Sequence, residues 1–273
     1  MLSEENSTNS SNSNKSRSDG GSDETPIVDM LLSKKDIKVV DSETLITDIQ
    51  KRVWGALKKG YEYSAPFDES EIYLRANVFS KIDMAILYID LVGSTTMTLE
   101  LPEEKIATII SSFAQEMAYV VKQYGGFILK FVGDAVLAFF IGEKNPLKAA
   151  DNVVECAKSM ISAIEKGINP ILNQYDYPDL KVKIGIDYGK AMVIRYGADE
   201  KRAPVDLIGP VLNIAAKIQN HAKPNQILIG SDVFTKLHPA TQKTFKEIIW
   251  QNDEWRYRSR VSGEIYKVYE FSG

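Results

Sequence analysis

Apolar residues along the chain recur in two rhythms, one at steps of three to four residues and one in short unbroken runs. From Asp41 to Tyr61, Ile46, Ile49, Val53, Trp54 and Leu57 return at three- and four-residue steps, which predicts a helix with one apolar stripe. Asp41 or Ser42 can cap its start, and Gly60 can end it. Such a helix either packs on the main domain or docks a second chain. Met84 to Ile89 is a nearly continuous apolar run that stops at Asp90, the pattern of a buried central strand. Pro102, Glu103 and Glu104 then suit the first turn of another helix. Ile106, Ile109, Ile110, Phe113, Met117, Val120 and Val121 line one side of it, and Gly125-Gly126 closes it.

Phe127 to Phe140 reads as two strands joined by a turn at Gly133-Asp134. Asn145-Pro146 opens a helix with Val153, Ala157, Met160, Ile161 and Ile164 facing in and Gly167 at its end. Val182 to Ile186 and Ala191 to Arg195 read as a strand pair around Tyr188-Gly189. Val205 to Ile208 is short and apolar, and Pro210 opens a helix carrying Val211, Ile214, Ala215 and Ile218 inward. Gln226 to Ile229 reads as a strand, Ser231 to Leu237 as a short helix, and Ile265 to Phe271 as the last strand. Helices and strands alternate, with hairpins between some strands. That predicts an α/β fold, a mixed sheet with helices packed on it in an α+β sandwich.

Composition adds a boundary. Residues 1 to about 25 are Ser, Asn, Asp and Glu with few apolar side chains, too little to offset the entropy of ordering. The expected organisation is a disordered polar tail over 1–40, a helix and linker over 41–70, and the main domain over 71–273. Apolar residues make up 44% of the 273, enough for a core, and the net charge of −4 gives no basic surface for nucleic acid or anionic membrane. No apolar run reaches the roughly 20 residues that a membrane span needs. Cys156 is the single cysteine, which excludes an intrachain disulfide and fits a reducing compartment. The expected location is the cytoplasm.

Candidate chemistry starts with two aspartates. Asp90 stands where an apolar strand runs out, and Asp134 stands at the tip of a hairpin. If the hairpin pairs beside that strand, both carboxylates meet at one edge of the sheet. Carboxylate oxygens suit hard cations such as Mg2+, which leave room for phosphates. Two such ions can clamp the attacking and leaving oxygens of an in-line displacement. Gly93-Ser94-Thr95 lies between strand and helix, so free backbone N–H groups there can face a polyphosphate. No Gly-x-x-x-x-Gly-Lys-Ser/Thr loop occurs, and two histidines, His221 and His238, make no zinc cluster. Lys130 falls in alternation with Ile128 and Val132, where a charge is costly unless it is paired or reaches solvent. Asn213 and Lys217 sit four apart and share one helix face, offset from its apolar stripe.

Together these residues resemble the class III adenylate and guanylate cyclase catalytic domain over about residues 80 to 271. Four segments carry the resemblance, in order: Tyr88 to Thr95, Gly125 to Ala138, Gly185 to Gly189, and Asp206 to Lys217. The resemblance implies a ferredoxin-like sheet and a head-to-tail homodimer with active sites across the interface. It implies ATP as substrate and two Mg2+ or Mn2+ ions per site. It matches Asp90 and Asp134 to the metal aspartates and Leu91 to the residue lending a backbone carbonyl. Gly93, Ser94 and Thr95 match the phosphate loop, Lys130 and Asp206 the pair that reads the base, and Asn213 the asparagine that positions the ribose. The family usually carries arginine four residues after that asparagine, whereas this chain has Lys217, which keeps the charge but loses the bidentate fork. The expected activity is adenylate cyclase. A cyclase for a pyrimidine nucleotide or GTP, and a degenerate domain that binds nucleotide as a regulatory module, are the alternatives.

Overall fold

The computed structural model describes residues 41–59, 67–251, 254–259 and 262–272. The polar tail expected over 1–40 lies outside the described residues. Asp41 accepts hydrogen bonds from Glu43 N and Thr44 Oγ1 and so caps α1 (Ser42–Lys59). A second helix, α2 (Phe67–Ala76), leads into the central strand β1 (Lys81–Leu91). The loop after β1 enters a short helix α3 (Ser94–Glu100), and Pro102 then precedes the long helix α4 (Glu103–Gln123). Strands β2 (Phe127–Val132) and β3 (Ala135–Ile141) form the expected hairpin. Helix α5 (Pro146–Ser162) starts where the Asn145 side chain accepts a hydrogen bond from Lys148 N, and it continues as a π-helix over Ala163–Ile168. After β4 (Val182–Arg195) and β5 (Val205–Ile208) comes α6 (Pro210–His221), then β6 (Gln226–Gly230), β7 (Phe245–Glu247) and β8 (Val268–Phe271).

The first four strands lie in the order β2-β3-β1-β4, with α4 and α5 in the two crossovers. That is the βαββαβ arrangement of ferredoxin-like folds. The sheet extends through β6, which runs parallel to β4, to β8 and β7, while β5 pairs with the far end of β4. β1 is covered on both faces, which accounts for its unbroken apolar run. Ala85, Leu87, Ile89 and Leu91 enter a core under α1, α4 and α5. Ile82, Met84 and Ile86 enter a second core with Leu207 of β5 and Val211, Leu212 and Ala215 of α6.

Three local readings change. The expected strand pair around Tyr188-Gly189 is one continuous fourteen-residue strand, β4. Gly189 pairs opposite Met84 instead of turning, and its missing side chain leaves room for α6: a Cβ there would lie 3.3 Å from Val211 Cβ. On α1, Ile49 and Val53 are buried but Trp54 is exposed, its ring under the Lys58 ammonium at 3.7 Å. The apolar stripe is therefore narrower than the sequence period gave, because a cation covers the indole at the surface. Near the C-terminus, the helix expected over Ser231 to Leu237 is a single turn, Ser231–Phe234, and the last strand starts at Val268, with Ile265 contributing one isolated bridge to Arg258.

Candidate active site

Antiparallel pairing of β1 with β3 sets Asp90 opposite Ala135. Asp134 immediately precedes Ala135, in a turn that Gly133 makes possible with a left-handed φ of 62°. The two carboxylates thus meet at the end of β1. Partial burial first, then the Asp134 charge and a hydrogen bond with Asp134, push the Asp90 carboxyl up to about 6. Gln219 and Lys183 pull it the other way. Asp134 Oδ2 is buried with no hydrogen-bond partner. An unpaired buried carboxylate oxygen beside a second carboxylate is costly, and a hard cation between them removes both penalties. Among the described residues no group of three or more His, Cys, Asp or Glu could hold a metal alone. An all-oxygen pair completed by backbone, water or phosphate oxygens fits Mg2+ or Mn2+. Leu91, next along β1, is 4% exposed, and its side chain is part of the core.

Gly93 sits at the N-terminus of α3 with φ 75° and ψ 16°, a conformation that strains any other residue. Ser94 and Thr95 form the first turn, where backbone N–H groups have no intrahelical acceptor.

Lys130 meets Asp206, with Nζ donating to Oδ2 at 2.5 Å, and Leu207 N donates to Asp206 Oδ1 at 2.8 Å. The pair is half-exposed, with side chains 41% and 20% accessible. The two-residue alternation predicts Lys130 on the face of Ile128, but the structure sets the two on opposite faces. A β-bulge between Ile128 and Lys130 shifts the register, so Ile128 enters the helix-covered core while Lys130 pairs opposite Leu137 and turns to Asp206 on β5. Tyr88 completes this cluster. Burial first, and then Asp206, push its phenol up, while Lys130 lowers it. Tyr88 opens the first segment of the resemblance without a role assigned to it there, although its place two residues before Asp90 puts both on one face of β1.

Asn213 and Lys217 lie one turn apart on α6, both exposed, and neither makes a side-chain hydrogen bond or ion pair among the described residues. Gln219, on the buried side of the same helix, donates from Nε2 to Asp90 Oδ2 at 3.3 Å. It was absent from the sequence reading, since a glutamine on a helix carries no chemical signature. A cavity of about 660 Å³ lies between β4, the start of α6 and the C-terminal segment, lined by Asp187, Tyr257 and Tyr266. It contains neither the aspartate pair, nor Lys130 and Asp206, nor Asn213 and Lys217. The chain brings the aspartates together and the Lys130–Asp206 pair together, and leaves Asn213 and Lys217 facing outward.

A family model described as adenylate and guanylate cyclase catalytic domain matches residues 78–263. A uridylate cyclase of Rhodovulum sp. (strain MB263) is 26% identical over 192 residues, which span 65% of this chain and 75% of that protein. A uridylate cyclase of Burkholderia cepacia is 31% identical over 175 residues, 62% of this chain and 72% of that protein. The crystal structure of the adenylyl cyclase CyaB from P. aeruginosa superposes with a TM-score of 0.58 at 22% identity, covering 70% of this chain and 94% of that one. At that identity the superposition shows the shared fold.

Proposed function

The chain belongs to the adenylate and guanylate cyclase catalytic domain family, and from that premise we propose that it is an adenylate cyclase whose active sites are shared between two head-to-tail copies. The observation that carries the choice of base is the Lys130–Asp206 pair. Lysine only donates hydrogen bonds and an ionised aspartate only accepts them. Adenine offers an acceptor at N1 and a donor at N6, so the pair complements its edge.

Each remaining residue has a task in turning ATP into cyclic AMP and pyrophosphate. Asp90, Asp134 and the Leu91 carbonyl would hold two Mg2+ or Mn2+ ions, which would supply Lewis-acid stabilisation of the ribose 3′-oxygen and the leaving pyrophosphate. Backbone N–H groups at Ser94 and Thr95 receive phosphate oxygens, with Gly93 letting the backbone approach. Asn213 of the other copy orients the ribose so that the 3′-oxygen lies in line with the α-phosphorus. Lys217 of that copy stabilises charge on the α-phosphate oxygens as the bond from O3′ to phosphorus forms and the bond to pyrophosphate breaks. The outward setting of Asn213 and Lys217, without partners among the described residues, supports a role towards a second chain.

A second reading has its own support. Among the relatives two carry the name cytidylate cyclase and two uridylate cyclase, and cytosine presents the same edge as adenine, an acceptor at N3 and a donor at N4. CTP is therefore the rival that the Lys130–Asp206 pair admits, whereas uracil and guanine present the reverse edge. The test is incubation of the purified protein with ATP, CTP, UTP and GTP in turn, with Mg2+ and with Mn2+, and mass-spectrometric identification of the product. Cyclic AMP is the expected main product, and Asp90→Ala should abolish it. Cyclic CMP, UMP or GMP as main product overturns the base assignment but keeps the cyclase. No cyclic product from any nucleotide overturns the activity.

A further inference from the structure

The contact between α6 and Asp90 follows from a glycine. Gly185 on β4 lies directly beneath α6, where a Cβ would fall 2.2 Å from Gln219 N, 2.5 Å from Gln219 Cα and 2.6 Å from Ala215 O. No side chain fits between strand and helix there, so the helix backbone rests on the strand backbone. That close seat buries Gln219 to 5% exposure and brings its amide within 3.3 Å of Asp90 Oδ2. Lys183 faces Asp90 from β4, and Asp134 faces it from the β2–β3 turn. Two neighbouring ionised carboxylates repel each other, and a donor to one of them offsets that repulsion.

We propose that Gln219 is a positioning residue: its amide fixes the Asp90 carboxylate in one orientation, so that the aspartate pair is preformed for a divalent cation. The proposal rests on the reading of Asp90 as a metal carboxylate. Ligating carboxylates are commonly hydrogen-bonded in this way, and loss of such a partner costs about 10- to 100-fold in metal affinity. A glutamine that merely filled space would be replaceable by methionine, which has a similar shape and no amide.

The experiment is a titration of the full-length protein with Mn2+ alone, with free Mn2+ read by electron paramagnetic resonance and thermal unfolding measured alongside. Asp90→Asn should lose site-specific Mn2+ binding. Gln219→Met should fold and bind Mn2+ about tenfold or more weakly. Gln219→Asn, which keeps the amide but stops one methylene short, should show the same loss. If Asp90→Asn loses binding while both Gln219 variants bind Mn2+ as the parent does, the positioning role is overturned and the metal site stands. Lowered thermal stability with unchanged Mn2+ affinity likewise overturns it, since that marks packing alone. If Asp90→Asn binds Mn2+ as the parent does, the metal reading fails and takes the proposal with it.

Discussion

Lys217 stands exposed on α6, one turn beyond Asn213, at the position where the family resemblance leads to an expected arginine. An ammonium at the α-phosphate supplies charge without the planar fork of a guanidinium, so each hydrogen bond is less well organised in advance. Removing it should lower kcat more than it raises KM, because its interaction strengthens as charge develops. Lys217→Ala is expected to lower kcat by about 100-fold or more, the loss typical of one oxyanion donor. Lys217→Arg should raise kcat above the parent, and steady-state kinetics at saturating metal measure both. An unchanged kcat in Lys217→Ala would remove this side chain from the reaction. At this scale the sequence was legible where a residue's position follows from the chain direction. Asp90 at a strand end and Asp134 at a hairpin tip are such cases. Lys130 was placed on the wrong face because a bulge breaks the two-residue period, and no residue type announces a bulge. The surroundings of Tyr88 and Gln219 were not legible, because they depend on what stands opposite them in space.

Between elements, the firmest polar contact of α1 is with α4. Arg52 Nη2 lies 2.5 Å from Glu116 Oε2, Nε donates to both oxygens at 3.0 and 3.1 Å, and the guanidinium sits 4.4 Å from the Tyr119 ring centroid. Glu116 is 1% exposed, and burial raises its carboxyl pKa while Arg52 lowers it. A buried pair of this kind contributes little net stability when intact but leaves an uncompensated charge when broken. Arg52→Ala should therefore destabilise the domain by about 3 to 5 kcal/mol, measured by chemical denaturation. Adding Glu116→Gln should recover part of that loss. A change below about 1 kcal/mol in Arg52→Ala would mean that the pair behaves like a surface contact. The apolar side of α1 packs on the π-helix: Ile49 fills the space above Gly167, where a Cβ would lie 2.7 Å from Ile49 Cγ2. The period of α1 was legible from its own residues, but its partner surface was not, because that surface is assembled from the π-helix and α4 far along the chain. β4 shows the same limit: Tyr188-Gly189 looks like a turn until α6 is seen to require the gap.

For the whole molecule, the division of the site matters most. A core layer closes each face of the sheet, while the candidate residues cluster at the end of β1, at the Lys130–Asp206 pair and on the outer side of α6. Lys130 and Asp206 are half-exposed, and Asn213 and Lys217 have no partners among the described residues. A polar array left open in this way fits one surface of a symmetric dimer, in which each copy completes the other's site. The βαββαβ order was legible from the sequence because its turns and apolar runs are local. The expectation that a second chain completes the site came only through the family resemblance, since no periodicity encodes which residues meet across an interface. The most direct test combines two inactive variants, Asp90→Ala and Asn213→Ala, purified separately and then mixed at equal concentration under conditions that allow subunit exchange. Each mixed dimer holds one site with intact aspartates from one copy and an intact asparagine from the other. Random exchange should restore about a quarter of the parent cyclase activity, because half the dimers are mixed and each has one working site. A mixture as inactive as its components, with mixed dimers shown to form, would contradict the shared site.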